Sequence, residues 1–190
     1  MNMKEYEKVW DKHYSDGGNS GIGSYNEHFE YKTNIINDII EKYQIKNIID
    51  FGCGDGNQIS NLNIEEYLGV DVSIEAVKIC QTKYKDDLNK KFELYDETFK
   101  NKNKTDLTLS LDVIYHIILD ESYYKYMNDL INSTNKYVLI YSSNFDDLNW
   151  ESHVRHRQFD KQITQEFELI KKINNILPNC SADFYLYKKK

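Results

Sequence analysis

The chain has 190 residues, room for one domain with a sizeable core and little more. Apolar residues make up 40% and charged residues 29%, an ordinary globular balance with Tyr unusually common at 16 and Pro present once. The formal net charge of −7 disfavours a nucleic-acid partner, because a protein that grips a phosphate backbone presents a basic face.

Residues 3–14 are predicted to form a short polar-aromatic helix, with Tyr6, Val9, Trp10 and Tyr14 at helical spacing. A glycine-rich loop follows, from Asp16 to Ser24. Residues 26–43 are predicted as an amphipathic helix with Phe29, Ile36, Ile40 and Tyr43 on one face. Strands and helices then alternate. Asn47–Phe51 is a β-rich run ending in glycines, and residues 57–63 are expected to open a short helix. Tyr67–Asp71 is a second strand, and Ser73 is a plausible N-cap for a helix reaching about Leu88, with Val77, Cys80 and Tyr84 inward. Phe92–Tyr95 and Leu107–Leu111 are the next two strands, Asp120–Asn132 a helix and Tyr137–Tyr141 a fifth strand. Phe167–Ile173 and Ala182–Tyr187 close the chain with only a turn near Pro178 between them. Strands separated by helices imply right-handed βαβ units and a parallel sheet. The last two strands lack a crossover helix and should pair antiparallel at one edge. No internal repeat, low-complexity segment or linker interrupts the chain, so 1–190 is expected to be a single domain, a helical cap at 1–45 before a core at 46–190.

The chain has eight glycines, and seven of them fall in two clusters, 17–23 and 52–56. Glycine is required where backbone takes positive φ or something approaches it closely. The second cluster directly follows a buried strand, the place where a doubly wound sheet meets a cofactor. Gly52 permits the tight turn, and Gly54 and Gly56 leave bare backbone for a ligand. Dinucleotide sites favour G-x-G-x-x-G, which seats a pyrophosphate. Here the spacing is G-x-G-x-G, flanked by Asp50 and Asp55. Two carboxylates would repel a pyrophosphate and suit a ligand carrying an ammonium and a sulfonium. Asp71, at the end of the second strand and nearly twenty residues after Gly52, is placed to accept from both ribose hydroxyls.

These residues resemble the class I S-adenosylmethionine-dependent methyltransferases. Ile48-Ile49-Asp50-Phe51-Gly52-Cys53-Gly54-Asp55-Gly56-Asn57 is similar to that superfamily's first motif, Tyr67–Ser73 to its second and Ser110–Ile117 to its fourth. The resemblance implies a Rossmann-like α/β three-layer sandwich: a mostly parallel seven-stranded sheet with an antiparallel last strand, preceded by N-terminal helices. It implies S-adenosylmethionine as cofactor and S-adenosylhomocysteine as product. By carry-over Asp50, Gly52 and Gly54 contact the methionine part, Asp71 the ribose, and Val72 packs on the adenine. Asp96 bonds the adenine amino group, and Asp112 lies near the site of transfer. Cys53, Asn57 and Leu111 belong to the same cofactor site. The flanks, Trp10–Tyr25, Ser152–Phe159 and Ser181–Tyr187, are similar to small bacterial methyltransferases encoded with capsule and surface-polysaccharide genes. One departure is Asp160-Lys161-Gln162-Ile163, where that group has an aromatic residue soon after the position of Phe159.

The acceptor side has to be argued from composition. Of the 24 Lys and Arg residues only Arg155 and Arg157 are arginine, and both lie in His153-Val154-Arg155-His156-Arg157. In extended chain His153, Arg155 and Arg157 share one side. Arginine offers a planar fork matched to phosphate or carboxylate, so His153, Arg155, His156 and Arg157 are the expected binding group for a small anionic acceptor. The competing reading is a structural Arg–carboxylate ion pair in an acidic protein. His116 follows Asp112-Val113-Ile114-Tyr115 and is the candidate general base, with Tyr115 beside it. The Gly17–Ser24 loop is read as a lid, in which Asn19 and Ser20 bond the methionine carboxylate while Tyr6, Trp10 and Tyr14 wall the pocket. Tyr14 is also a candidate substrate contact.

The remaining signals set the context. Cys53, Cys80 and Cys180 are few, odd in number and far apart, which gives no disulfide framework or zinc pattern and fits a reducing cytoplasm. No close His/carboxylate ligand spacing is present, so no metal is expected. Met1–Glu5 lacks the apolar core of a signal peptide, and no stretch is long and apolar enough to span a bilayer. The rival readings are an NAD-dependent oxidoreductase and a non-catalytic cofactor-binding module that regulates a partner.

Overall fold

Two stretches with apolar residues at helical spacing open the chain as helices α1 (Met3–Ser15) and α2 (Asn26–Tyr43). The computed structural model describes residues 3–101, 104–147, 154–163, 165–178 and 180–190, with side chains from residue 7 on. It comprises two units, Met1–Lys100 and Asn101–Lys190. Seven strands make up the sheet, in the order β3-β2-β1-β4-β5-β7-β6.

In the first unit α2 buries Ile36, Ile39 and Ile40 together with Thr33 and the whole of Lys32. It stops at Gln44, whose left-handed backbone (φ 52°) returns its N–H to Ile40 O and Glu41 O, a C-cap made without glycine. Strand β1 (Asn47–Phe51) runs parallel to β2 (Glu66–Asp71), and β2 runs parallel to β3 (Lys90–Leu94). Helix α3 (Ile74–Lys83) begins at the expected cap: Ser73 Oγ accepts from Ala76 N at 3.2 Å. It ends five residues short of the predicted Leu88. The reason lies in Tyr84, whose ring stacks on Phe92 (centroids 5.4 Å apart, 24°) and whose hydroxyl donates to Gly56 O at 2.6 Å.

The short helix expected at 57–63 does not form. The segment is a series of turns closed by Ser60 N to Asn57 O and Leu62 N to Ile59 O. Side chains of α2 take the bonds that a helix would have used. Asn37 accepts from Asn63 N and donates to Asn61 O, and Gln58 donates to Thr33 Oγ1. A helix this short has too little propagation to repay nucleation against such competitors. The glycine loop therefore does not open a helix.

In the second unit β4 (Thr105–Leu111) and β5 (Thr134–Ser142) are parallel. Both are longer than their apolar runs, because Thr105 and Thr134 bond across the pair: Thr105 Oγ1 donates to Ser133 O and Thr134 Oγ1 to Thr105 O. Between them lie a 3-10 turn (Ile114–His116) and helix α4 (Asp120–Asn132), which buries Tyr123, Tyr126, Met127, Leu130 and Ile131. A single helical turn, α5 (Asp160–Ile163), precedes β6 (Phe167–Ile173) and β7 (Asp183–Lys189). Strand β7 is antiparallel to both β5 and β6, as expected of strands with no crossover between them. The outermost strand, β6, carries exposed Glu168, Lys171 and Lys172 and a register shift between Leu169 and Lys171, features that blunt an edge. Among the described residues no helix is long and apolar enough to cross a membrane.

Candidate functional site

The turn after β1 is built from positive-φ glycines: Gly52 at 85°, Gly54 at 56° and Gly56 at 68°. Gly52 N donates back to Val70 O on β2 at 2.7 Å, which folds the loop over the end of that strand. Two of the glycines are required by the protein's own packing. A Cβ on Gly54 would collide with Ser20 Oγ and lie 2.9 Å from the Tyr14 hydroxyl oxygen. One on Gly56 would lie 2.9 Å from both Cys80 Sγ and the Tyr84 ring. Cys53 is buried, and its sulfur fills the space left by Gly69. Its thiol is held far above the ordinary range by the neighbouring Cys80 and by burial.

Asp50 is the unusual group of this unit. It is 2% exposed, and its Oδ2 accepts from the Tyr67 hydroxyl at 2.7 Å. Its Oδ1 is buried with no hydrogen-bond partner. Burial pushes the carboxyl up to about 6, with the Tyr67 bond and the charge of buried Lys32 opposing the shift. A buried carboxylate oxygen without a donor is costly unless something supplies one. The unmet need is for a donor or a cation, not for an anion.

Asp71 ends β2. Its Oδ2 accepts from Gly54 N and its Oδ1 from Ser73 N, both at 2.9 Å, so one carboxylate joins the glycine loop to the start of α3. Burial raises it to about 6 against these backbone bonds. Ser73 Oγ also donates to Asp11 of α1 at 2.7 Å, which ties the N-terminal helix to the same corner. Val72 lies half-buried between these two residues. Asp96 follows β3, where its Oδ1 accepts from Thr98 N and Thr98 Oγ1, both at 2.7 Å.

The Gly17–Ser24 loop is fastened down, and the fastener is Asp55. Asp55 Oδ2 accepts from Ser20 N (3.0 Å) and from the Tyr25 hydroxyl (2.6 Å), while Oδ1 accepts from Asn57 N (2.9 Å). Ser20 Oγ reciprocates by accepting from Asp55 N at 2.9 Å, and Asn57 Nδ2 donates to Ser24 O at 2.6 Å. Burial alone would raise the Asp55 carboxyl, but these donors hold it below its usual value. Asp55 was expected to set the charge beside a cofactor; its carboxylate also fastens the loop. Ser20 Oγ is likewise engaged with Asp55 N and, at 3.3 Å, with the Tyr14 hydroxyl. Asn19 is exposed and caps its own turn through Oδ1 to Gly21 N. Tyr14 is buried, with its ring against Trp10 and His13. The side chain of Tyr6 lies outside the described residues.

The second unit brings together a different set. Leu111 is buried at the end of β4, and the next residue, Asp112, has φ 61°. That backbone is uncommon for a residue with a side chain and marks stored strain. Tyr115 donates its hydroxyl to Asp112 Oδ1 at 2.7 Å, and burial with the Asp112 charge keeps that hydroxyl protonated. The Tyr115 ring lies 4.7 Å from that of His116 and 6.0 Å from that of His156. His156 Nδ1 is 2.6 Å from Ser143 Oγ, just beyond β5.

Arg155 and Arg157 sit in chain with no regular secondary structure, and they do not form an open fork. Arg157 donates to Ile117 O, to Ile118 O and to Asp120 Oδ1, and lies over the Tyr123 ring at 4.5 Å. Arg155 donates to Ile118 O at 2.9 Å and pairs with the same aspartate at 2.8 Å. The ion pair that competed with the anion-binding reading is thus present. Arg157 is 7% exposed, while Arg155 and Asp120 retain more access to solvent. His153 lies outside the described residues.

Sequence reading missed Asp55 as the loop clamp, Lys32 as the buried counter-charge to Asp50, and Ser143. No local pattern announces them, because their partners are distant in sequence. Among the described residues no cluster of His, Cys, Asp and Glu could hold a metal ion.

A family model described as a methyltransferase domain matches residues 44–187. No curated protein is a significant match to the chain. Among solved structures, N-methyltransferase NodS from Bradyrhizobium japonicum WM9, in complex with S-adenosylhomocysteine, superposes with a TM-score of 0.79 at 10% identity, over 97% of this chain and 98% of that one. Magnesium protoporphyrin IX methyltransferase from Synechocystis PCC 6803, with bound S-adenosylmethionine, gives 0.73 at 14% identity over 97% of each chain. Phosphoethanolamine N-methyltransferase 1 from Haemonchus contortus, in complex with phosphoethanolamine and S-adenosylhomocysteine, gives 0.72 at 12% identity, over 98% of this chain and 48% of that one.

Proposed function

The chain belongs to the methyltransferase-domain family, and from that premise we propose that it transfers the methyl group of S-adenosylmethionine to a small anionic acceptor. The observation that carries the cofactor assignment is the buried, donorless Oδ1 of Asp50 beside a positive-φ glycine turn. An ammonium group meets that need, and a pyrophosphate would worsen it. Asp50, Gly52 and Gly54 hold the methionine part, with Cys53 and Asn57 in support; Asp71 takes the ribose, and Val72 and Asp96 the adenine. Asn19 and Ser20 cover the site through the loop that Asp55 fastens. Leu111 and Asp112 border the place of transfer.

S-adenosylmethionine supplies an electrophilic methyl on a sulfonium, so the protein's contribution is to bind, orient and exclude water. Tyr115, kept protonated by burial and by the Asp112 charge, gives its hydrogen to Asp112 and does not serve as a base. His116 is the proposed base that takes the acceptor's proton. The planar forks of Arg155 and Arg157, the two arginines of the chain, support an anionic acceptor, with His153, His156 and Tyr14 completing its site. The preferred class is a phosphorylated, nucleotide-linked or phosphoramidate-type precursor of surface polysaccharide, methylated on oxygen in the cytoplasm; its support is the likeness of the flanking segments to capsule-cluster methyltransferases. Methylation of nitrogen is the second reading, favoured by the two N-methyltransferases among the fold neighbours.

Calorimetry with S-adenosylhomocysteine and with NAD tests the cofactor, and labelled-methyl transfer to a panel of phosphorylated sugars and amines tests the acceptor. The expected result is binding of the first ligand only, with His116→Ala lowering turnover about 100-fold at unchanged cofactor affinity. Preference for NAD, or full turnover in His116→Ala, would sink the respective assignment.

A further inference from the structure

We propose that Ser143 and His156 form an oxyanion-binding pair, in which Ser143 sets the imidazole so that its Nε2–H donates to a phosphate or carboxylate of the methyl acceptor. This inference rests on the reading of the second unit as the acceptor side.

The pair is held in a defined geometry. Ser143 directly follows β5, is 1% exposed, and has His156 Nδ1 at 2.6 Å as its side-chain partner. The His156 ring is packed against Phe145 (centroids 4.7 Å apart, 33°) and approached by Tyr115. Its backbone is fixed as well, since Asp147 N donates to His156 O and the neighbouring Arg155 N donates to Tyr115 O. A half-buried ring with one nitrogen bonded to a buried hydroxyl has little freedom to turn.

Hydrogen accounting then assigns the proton. If Ser143 did not donate to Nδ1, its buried hydroxyl hydrogen would have no acceptor among the described residues, a costly state. With Ser143 donating, Nδ1 is the acceptor and the neutral ring carries its hydrogen on Nε2. Among the described residues Nε2 has no hydrogen-bond partner, and the ring is half-buried, so this nitrogen is left to meet a ligand. The pair therefore presents one aimed donor on the unit that also carries the Asp112–Tyr115 bond, His116 and Arg155. A donor there takes an oxygen acceptor, and a charged oxygen best.

The test is NMR on the full, 15N-labelled chain saturated with S-adenosylhomocysteine, using inorganic phosphate as the probe. His156→Phe assigns the imidazole signals by their loss. The expected result is a His156 ring protonated at Nε2, with signals that phosphate shifts saturably. Ser143→Ala should weaken phosphate about fivefold, the effect of one hydrogen bond. His156→Gln, which keeps an amide donor, should retain more phosphate binding than His156→Phe. A proton on Nδ1 instead, shifts that never saturate, or equal phosphate binding in the Gln and Phe variants would overturn the proposal. Failure of the chain to bind S-adenosylhomocysteine would sink the methyltransferase reading instead, so the two failures are distinguishable.

Discussion

Asp50 and Asp71 both titrate near 6 because burial disfavours their charged forms. The sign of the consequence follows from linkage. An acid raised from about 4 in the unfolded chain to about 6 in the fold helps stability below pH 4, and that contribution is lost as pH rises through 6. A ligand that brings an ammonium to Asp50 and hydroxyl donors to Asp71 needs both groups ionised. S-adenosylhomocysteine affinity should therefore climb between pH 5 and pH 7 and level off above. Calorimetry across that range in wild type and in Asp50→Asn checks it. The variant should bind more weakly at pH 7.5 and show a shallower pH slope, and a flat wild-type profile would remove Asp50 and Asp71 from the cofactor site. The pairing of strand, glycine turn and Asp71 was legible in the sequence because all three lie close together in the chain. The clamp made by Asp55 was not, since its partners Ser20 and Tyr25 are 35 and 30 residues away. The arginines illustrate the same limit: their rarity was visible, but Asp120 as their shared partner was not.

That clamp is the natural object at the scale of elements. It satisfies three donors on one carboxylate and joins the N-terminal loop to the glycine turn. Asp55→Ala leaves those donors to water or to nothing, a local loss of about 2–3 kcal/mol. Hydrogen exchange should show the amides of 18–25 opening at least about tenfold faster in that variant, while the central strands keep their protection. Exchange as slow as in wild type would mean that the loop is held by other contacts. The elements that were read correctly from sequence share a cause. The helices at 26–43 and 120–132 carry their periodicity over their full length, and the strands at 47–51 and 167–173 are apolar-rich runs bounded by polar or turn residues, so their bounds match the pattern. The helix that failed at 57–63, the 3-10 turn at Ile114–His116 and the single turn at Asp160–Ile163 are too short for a period to be seen. What decides such segments is the side-chain competition around them, as Asn37 and Gln58 show.

On the scale of the whole molecule, the family match runs from residue 44 to residue 187 and so spans both units. We propose on this ground that the chain unfolds as one domain. Calorimetry should then show a single transition, with the calorimetric and van't Hoff enthalpies equal. S-adenosylhomocysteine at 100 times its Kd adds about 2.7 kcal/mol, because it binds the fold and not the unfolded chain. For a chain of this length that corresponds to a rise in Tm of about 5–10 °C. The shift is the discriminating measurement. The residues proposed to hold the methionine, ribose and adenine, Asp50 to Asp96, lie in the first unit, so if the units unfolded independently only one transition would move and the other would stay in place. If they unfold together, the ligand raises the melting of α4 and β5–β7 by the same amount as that of β1–β3, and Asp71→Asn reduces the shift for both. Two peaks, of which one ignores the ligand, would show that the cofactor-binding half folds alone.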